Sequence, residues 1–128
     1  MKTKKHLMKY FTNAFTHNLI LWIISKETIH GYGIMKKLDE FFKSDEDFKN
    51  TSSKIYPLLR KMERNGLIKG EWRINENNKR VKYYSITEDG ETVLLLIREK
   101  FNKFQNNPQW IEFMNDISDR SKDNEERN

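Results

Sequence analysis

The segment from Thr51 to Thr87, TSSKIYPLLRKMERNGLIKGEWRINENNKRVKYYSIT, constrains the fold most. Ile55, Leu58, Leu59 and Met62 recur at i, i+3, i+4 and i+7, the spacing of one helical face. Asn65-Gly66 then stops the helix, and Thr51, Ser52 and Ser53 are candidate caps at its start. Pro57 stands about one turn inside and removes a backbone donor, which predicts a tight or irregular first turn. Leu67–Ile74 and Val81–Ile86 read as strands, with Ile68, Trp72 and Ile74 on one side of the first. The polar run Asn75–Arg80 between them reads as a six-residue loop, long enough for a mobile tip.

The flanking segments read as scaffold. Lys4–Ile24 is helical, with a kink or short break expected around Thr12-Asn13 and Thr16-His17-Asn18. Leu19–Ile24 is the longest apolar run and suits a buried helix carrying Trp22 in the core; it is too short to span a membrane. Thr28–Gly31 reads as a turn. Gly31–Phe42 reads as a helix whose stripe is Tyr32, Met35, Leu38 and Phe42, with Ile34 and Phe41 beside it. Ser44–Asn50 is a charged loop, with Phe48 expected to tuck back. Thr87 should cap a fourth helix whose first turn holds Glu88, Asp89 and Glu91, suiting the helix dipole. Gly90, Leu94, Ile97, Phe101 and Phe104 then follow a heptad seam, the pattern of helix pairing. Asn106-Asn107-Pro108 ends that helix, and Trp110–Ile117 reads as a short amphipathic one. Residues 118–128 hold no apolar side chain and read as a disordered polar tail.

Charge now decides between functions. The chain carries 24 Lys and Arg against 19 Asp and Glu, and the excess is uneven: residues 1–108 are net +8 and residues 109–128 net −3. A basic body is drawn to phosphate backbones, yet many lysine-rich surfaces are merely solvated. Position separates the two. Opposite the apolar stripe, the third helix carries Ser53, Pro57, Arg60 and Arg64, flanked by Tyr56 and Lys61. Its N-terminal end, Ser52, Ser53, Lys54 and Tyr56, is the part best placed for base edges, where free N–H groups also attract phosphate. Arg60 can pair bidentately with guanine, while Lys61 and Arg64 suit phosphate. In the hairpin, Arg73, Lys79, Arg80 and Lys82 can reach phosphate or a minor groove. Two helices, a basic helix and a basic hairpin in that order describe a winged helix-turn-helix.

Four motifs carry a family resemblance. His30-Gly31-Tyr32-Gly33, Ile55–Glu63 (IYPLLRKME), Asn65–Ile68 (NGLI) and Tyr84–Gly90 (YSITEDG) resemble the PadR family of transcriptional regulators, and Glu71-Trp72 matches a pair common in its first wing strand. The similarity covers roughly residues 19–90. Gly33 stands where many members have Glu, and the acidic stretch 43–51 is unusual. The resemblance implies a homodimeric repressor of stress, phenolic acid or drug-export genes, relieved in some members by a small-molecule inducer. It also implies pairing through the C-terminal helix.

The sequence therefore predicts a mainly α fold with a small β-hairpin: a DNA-binding domain over 1–87, dimerisation helices over 88–117, and the tail. The dimer interface is assigned to Leu94, Ile97, Phe101, Phe104, Trp110 and Met114. Core or interface packing, rather than a ligand pocket between subunits, is the reading for these aromatics; the aromatic pocket that the resemblance to multidrug-sensing members would imply is not carried over, because no tryptophan lies in the fourth helix. Expected partners are inverted-repeat double-stranded DNA, a second copy of the chain and a small-molecule effector. Cysteine is absent and the three histidines share no ligand spacing, so no metal or other cofactor is expected. His30 is read as a structural hydrogen-bonding residue. No nucleophile–base set or phosphate loop points to an enzyme. With no signal peptide, the cytoplasm is the expected location. The rival reading is a winged helix that binds protein, which would need apolar anchors on the outer face of the third helix.

Overall fold

The computed structural model describes residues 2–43 and 52–116. The elements run α1 (Lys2–Lys26), β1 (Ile29–His30), α2 (Gly31–Phe41), α3 (Ser52–Arg64), β2 (Ile68–Ile74), β3 (Arg80–Ile86) and α4 (Glu88–Gln105), followed by a further helix, α5, over 108–116. The expected segment 44–50, the candidate cap Thr51 and the tail 118–128 lie outside the described residues, as does Ile117. Two compact units emerge, Met1–Leu94 and Leu95–Asn128, and the division falls inside α4.

Helix α1 is unbroken, contrary to the expected kink. Sharp kinks need proline, glycine or an inserted group, and residues 2–26 contain neither proline nor glycine. The Thr and Asn residues of this stretch cost only tenths of a kcal/mol each in helix propensity, roughly 0.5. Thr16 is itself buried. Helix α3 likewise runs through Pro57 without interruption.

The turn expected at 28–31 contains a strand instead. Ile29 pairs with Tyr84 and His30 with Tyr83, so the sheet has three antiparallel strands in the order β1-β3-β2. Two residues are too few to show alternation, which is why the sequence hides this strand. The hairpin register runs from Ile68 opposite Ile86 to Ile74 opposite Arg80. Because β3 begins at Arg80, the connecting turn is five residues, 75–79.

Helix α2 starts on His30, whose Nδ1 accepts the Gly33 N–H at 2.8 Å. Its buried residues are Gly31, Ile34 and Leu38, with Phe42 just beyond its end. Tyr32 and Phe41, placed in or beside the expected stripe, are exposed. The true stripe begins on a glycine, which has no side chain to report it.

Helix α3 ends in a Schellman motif. Gly66, at φ +75°, donates to the Glu63 carbonyl and Leu67 donates to that of Met62, both at 3.0 Å. Thr87 ties this turn to the next helix. Its N–H donates to the Leu67 carbonyl at 3.1 Å. Its Oγ1 donates to Gly66 at 2.6 Å and accepts the Gly90 N–H at 3.1 Å, capping α4.

The core of the first unit gathers Ile20, Leu21 and Ile24 of α1, Ile34 and Leu38 of α2, Ile55, Leu59 and Met62 of α3, Ile68 of β2 and Tyr84 of β3. One expectation fails here: Trp22 is 39% exposed, not core. Leu94, assigned to a dimer seam, is 8% exposed and packs into this core. In the second unit Asn107 caps α5, its Oδ1 accepting the N–H groups of Gln109 and Trp110 at 2.8 and 3.0 Å. Phe104 stacks on Trp110, which meets Phe113.

Candidate nucleic-acid interface

Helix α3 divides its surface sharply. Ile55, Leu59 and Met62 are fully buried, while Lys54, Tyr56, Arg60, Lys61 and Arg64 are exposed. Ser52 and Ser53 open the helix; their side chains lie outside the described part. Tyr56 is 40% exposed and also packs inward. Its ring lies over Gly31, where an added Cβ would meet Cε1 at 2.7 Å and the hydroxyl at 2.9 Å. The missing side chain of Gly31 thus lets the start of α2 dock against Tyr56.

The hairpin register places the wing cations on two faces. Alternation along β3 puts Arg80, Lys82 and Tyr84 on one side, with Trp72 directly across from Lys82. Arg80 lies 4.8 Å from the Trp72 ring centroid. Arg73 belongs to the other face, 5.3 Å from the Tyr83 ring centroid, and contacts Glu71 at 3.4 Å. Lys79 sits in the turn. That turn is internally tied, not loose as its composition suggested. Asn75 Oδ1 accepts the N–H groups of Asn77 and Lys79 at 3.0 and 2.9 Å, and the Asn75 N–H donates to the Lys79 carbonyl at 2.8 Å. Asn78 adopts φ 61°, a left-handed conformation that Asn tolerates.

Lys82, a phosphate candidate from sequence, has a partner within the chain. Its Nζ donates to Glu63 Oε1 at 2.8 Å, and both side chains are about two-thirds to three-quarters covered, at 27% and 30% exposed. Glu63 was not singled out from sequence, although its place one residue past Met62 put it beside the buried stripe. Trp72 is 54% exposed and receives Arg80 and Lys82 on its ring. Burial raises the Tyr84 phenol pKa above its ordinary value, with Lys82 opposing and Glu63 reinforcing.

Between α3 and the wing opens a cleft of about 340 Å³ bordered by His30, Tyr32, Tyr56, Trp72, Asn75 and Arg80. A second groove, about 280 Å³, lies between α1 and α2, lined by Leu19, Trp22, Ile23, Lys26 and Phe41. Burial lowers the His17 pKa, as does nearby Lys61, while a hydrogen bond with Asn18 opposes the shift. Among the described residues no group of three His, Asp or Glu side chains is placed to hold a metal ion. No described helix is long and apolar enough to cross a membrane.

Residues 20–95 match the profile of the transcriptional regulator PadR-like family. The chain belongs to that family. A PadR-like transcription factor from Bacteroides fragilis shares the fold at TM-score 0.68, with 21% identity over 88% of this chain and 98% of its own. A PadR family regulator from Clostridium difficile is 25% identical over 80% of this chain and 97% of its own, at TM-score 0.63. A PadR-like regulator from Bacillus cereus is 28% identical over 71% and 91%, at TM-score 0.54. No curated protein matches the chain in sequence. The PadR-like assignment makes the protein a transcriptional regulator with a winged-helix fold.

Proposed function

We propose that this PadR-like regulator is a homodimeric, sequence-specific repressor that binds double-stranded DNA. One observation carries the reading. Helix α3 buries Ile55, Leu59 and Met62 completely and turns Lys54, Arg60, Lys61 and Arg64 outward. An amphipathic helix with arginines outward suits a major groove, where arginine can read guanine edges. Lys54, Tyr56 and Arg60 are the base-edge candidates, with Ser52 and Ser53 at the helix start. Lys61, Arg64, Arg73, Lys79 and Arg80 are the phosphate candidates. The second copy would pair through Ile97, Phe101, Phe104, Trp110 and Met114. A two-fold dimer would place its recognition helices about 34–36 Å apart, and its operator would be an inverted repeat. A small-molecule inducer would act by binding one dimer geometry better than another.

The rival protein-binding module needs apolar anchors on the outer face of α3, where cations stand instead. Selection from a randomised duplex library at two salt concentrations tests the proposal. An enriched inverted repeat with half-sites about one turn apart supports it. Salt-sensitive binding without an enriched motif would point to a non-specific role, and no binding at low salt to a protein partner.

A further inference from the structure

The hairpin is anchored to the body chiefly at its base. Ile68 and Tyr84 are buried there, while residues 71–74 and 76–80 are exposed. Above that base, one ion pair among the described residues joins α3 to the wing: Lys82 to Glu63 at 2.8 Å. The Lys82 ammonium also lies 5.9 Å from the Trp72 ring centroid and 5.5 Å from that of Tyr84. Gly70 makes room for the crossing. An added Cβ there would stand 2.3 Å from Lys82 Cε and 2.7 Å from Glu63 Oε2.

We propose that Glu63 and Lys82 form a strut that fixes the angle between the recognition helix and the wing, so that both act as positioning residues for DNA selectivity. The DNA role rests on the function proposed above. Leverage explains why a half-covered pair would matter. From the buried base at Tyr84, the four strand residues to Arg80 and the turn beyond them span roughly 17 Å, so a tilt of about 10° about the base moves the tip by about 3 Å. That displacement is as long as a hydrogen bond to phosphate. The ammonium is held by a carboxylate and two rings, and this arrangement keeps Lys82 from serving as a phosphate ligand.

Charge alone makes the opposite prediction. Glu63→Gln removes a negative group beside the DNA face and releases Lys82, so simple electrostatics expects tighter binding to every sequence. The strut expects the ratio of operator to random-duplex affinity to fall about five- to tenfold, the size of a neighbour coupling. Reciprocal Glu63→Lys/Lys82→Glu keeps the net charge and should recover most of the ratio. Lys82→Met should lower the ratio with an unchanged salt slope; a phosphate ligand would instead flatten the slope by about one.

Amide hydrogen exchange on the full chain supplies the second readout. In Glu63→Gln the amides of β2 and β3 beyond Gly70 should exchange faster, while those of Leu59 and Met62 stay protected. Unchanged hairpin exchange would overturn the strut whatever the DNA result. Faster exchange with intact selectivity would overturn the positioning role. A wild-type chain that selects no operator would overturn the DNA reading and the positioning role with it, while exchange would still decide the strut.

Discussion

Arg60 and His17 lie on different sides of the boundary between surface and core, and they should respond to substitution differently. Arg60 is exposed on the face opposite Ile55 and Met62, so Arg60→Ala should shift folding stability by no more than about 0.5 kcal/mol. If it reads guanine, it should cost ~1–3 kcal/mol in binding at one base position. A scan of single-base operator variants checks this; an unchanged base preference would remove Arg60 from the base readers. His17 is partly buried and its pKa is lowered from 6.5, first by burial and then by Lys61. The folded state therefore holds fewer protons than the unfolded state as pH falls below 6.5. Its contribution is fully present above 6.5 and is lost as pH falls through the depressed folded value. Urea midpoints measured between about pH 7.5 and about pH 5.5 should fall less in His17→Gln than in the wild type. Parallel slopes would show that other groups carry the dependence. The outward Arg60 was legible because side-chain periodicity on a helix reports both faces at once. The ion pair of Lys82 was not legible, because its partner, Glu63, lies 19 residues away in another element.

At the scale of elements, legibility followed the number of informative side chains. Helix α3 declares itself through three fully buried residues at regular spacing. Helix α2 was read correctly at Leu38 and Phe42 but not at its start, because its inward face opens on Gly31 rather than Tyr32. Strand β1 has two residues and no alternation to detect. The break expected in α1 came from propensity alone, and packing overrode it where Thr16 and Ile20 face the core. The cap of α2 is the element-level feature easiest to test. His30 Nδ1 accepts the Gly33 N–H, and asparagine is a strong N-cap in the same position. His30→Ala should therefore cost about 1 kcal/mol, and His30→Asn much less. Chemical denaturation distinguishes them. Equal losses would mean that the ring packs with Tyr83, at 5.4 Å between centroids, and that this contact matters more than the cap.

Across the whole molecule, the heptad pattern in α4 mixed two kinds of burial. Gly90 and Leu94 are buried within their own unit, while Phe101 and Phe104 keep 56% and 47% of their surface. Sequence periodicity cannot separate these cases, since both ask for apolar residues every three or four positions. Substitution can. Leu94→Ala removes packing inside the first unit and should cost ~2–5 kcal/mol of fold stability. It should lower the thermal midpoint at every protein concentration. Phe101→Glu puts a charge on an already exposed position of α4, so a lone chain would tolerate it. In the proposed dimer it would be buried without a partner, and burying an unpaired charge costs several kcal/mol, about 3 or more. Sedimentation should then show monomer, and the midpoint should lose its dependence on concentration, because association stabilises a dimer by mass action. Operator binding should weaken as well, since two half-sites would no longer be held by one particle. A Phe101→Glu chain that still sediments as a dimer would remove this seam from the interface, and Ile97→Glu would then show whether any part of α4 takes part. If Leu94→Ala dissociates the dimer without altering the fold, the seam would have to extend into the first unit, against the burial of Leu94 in its own core.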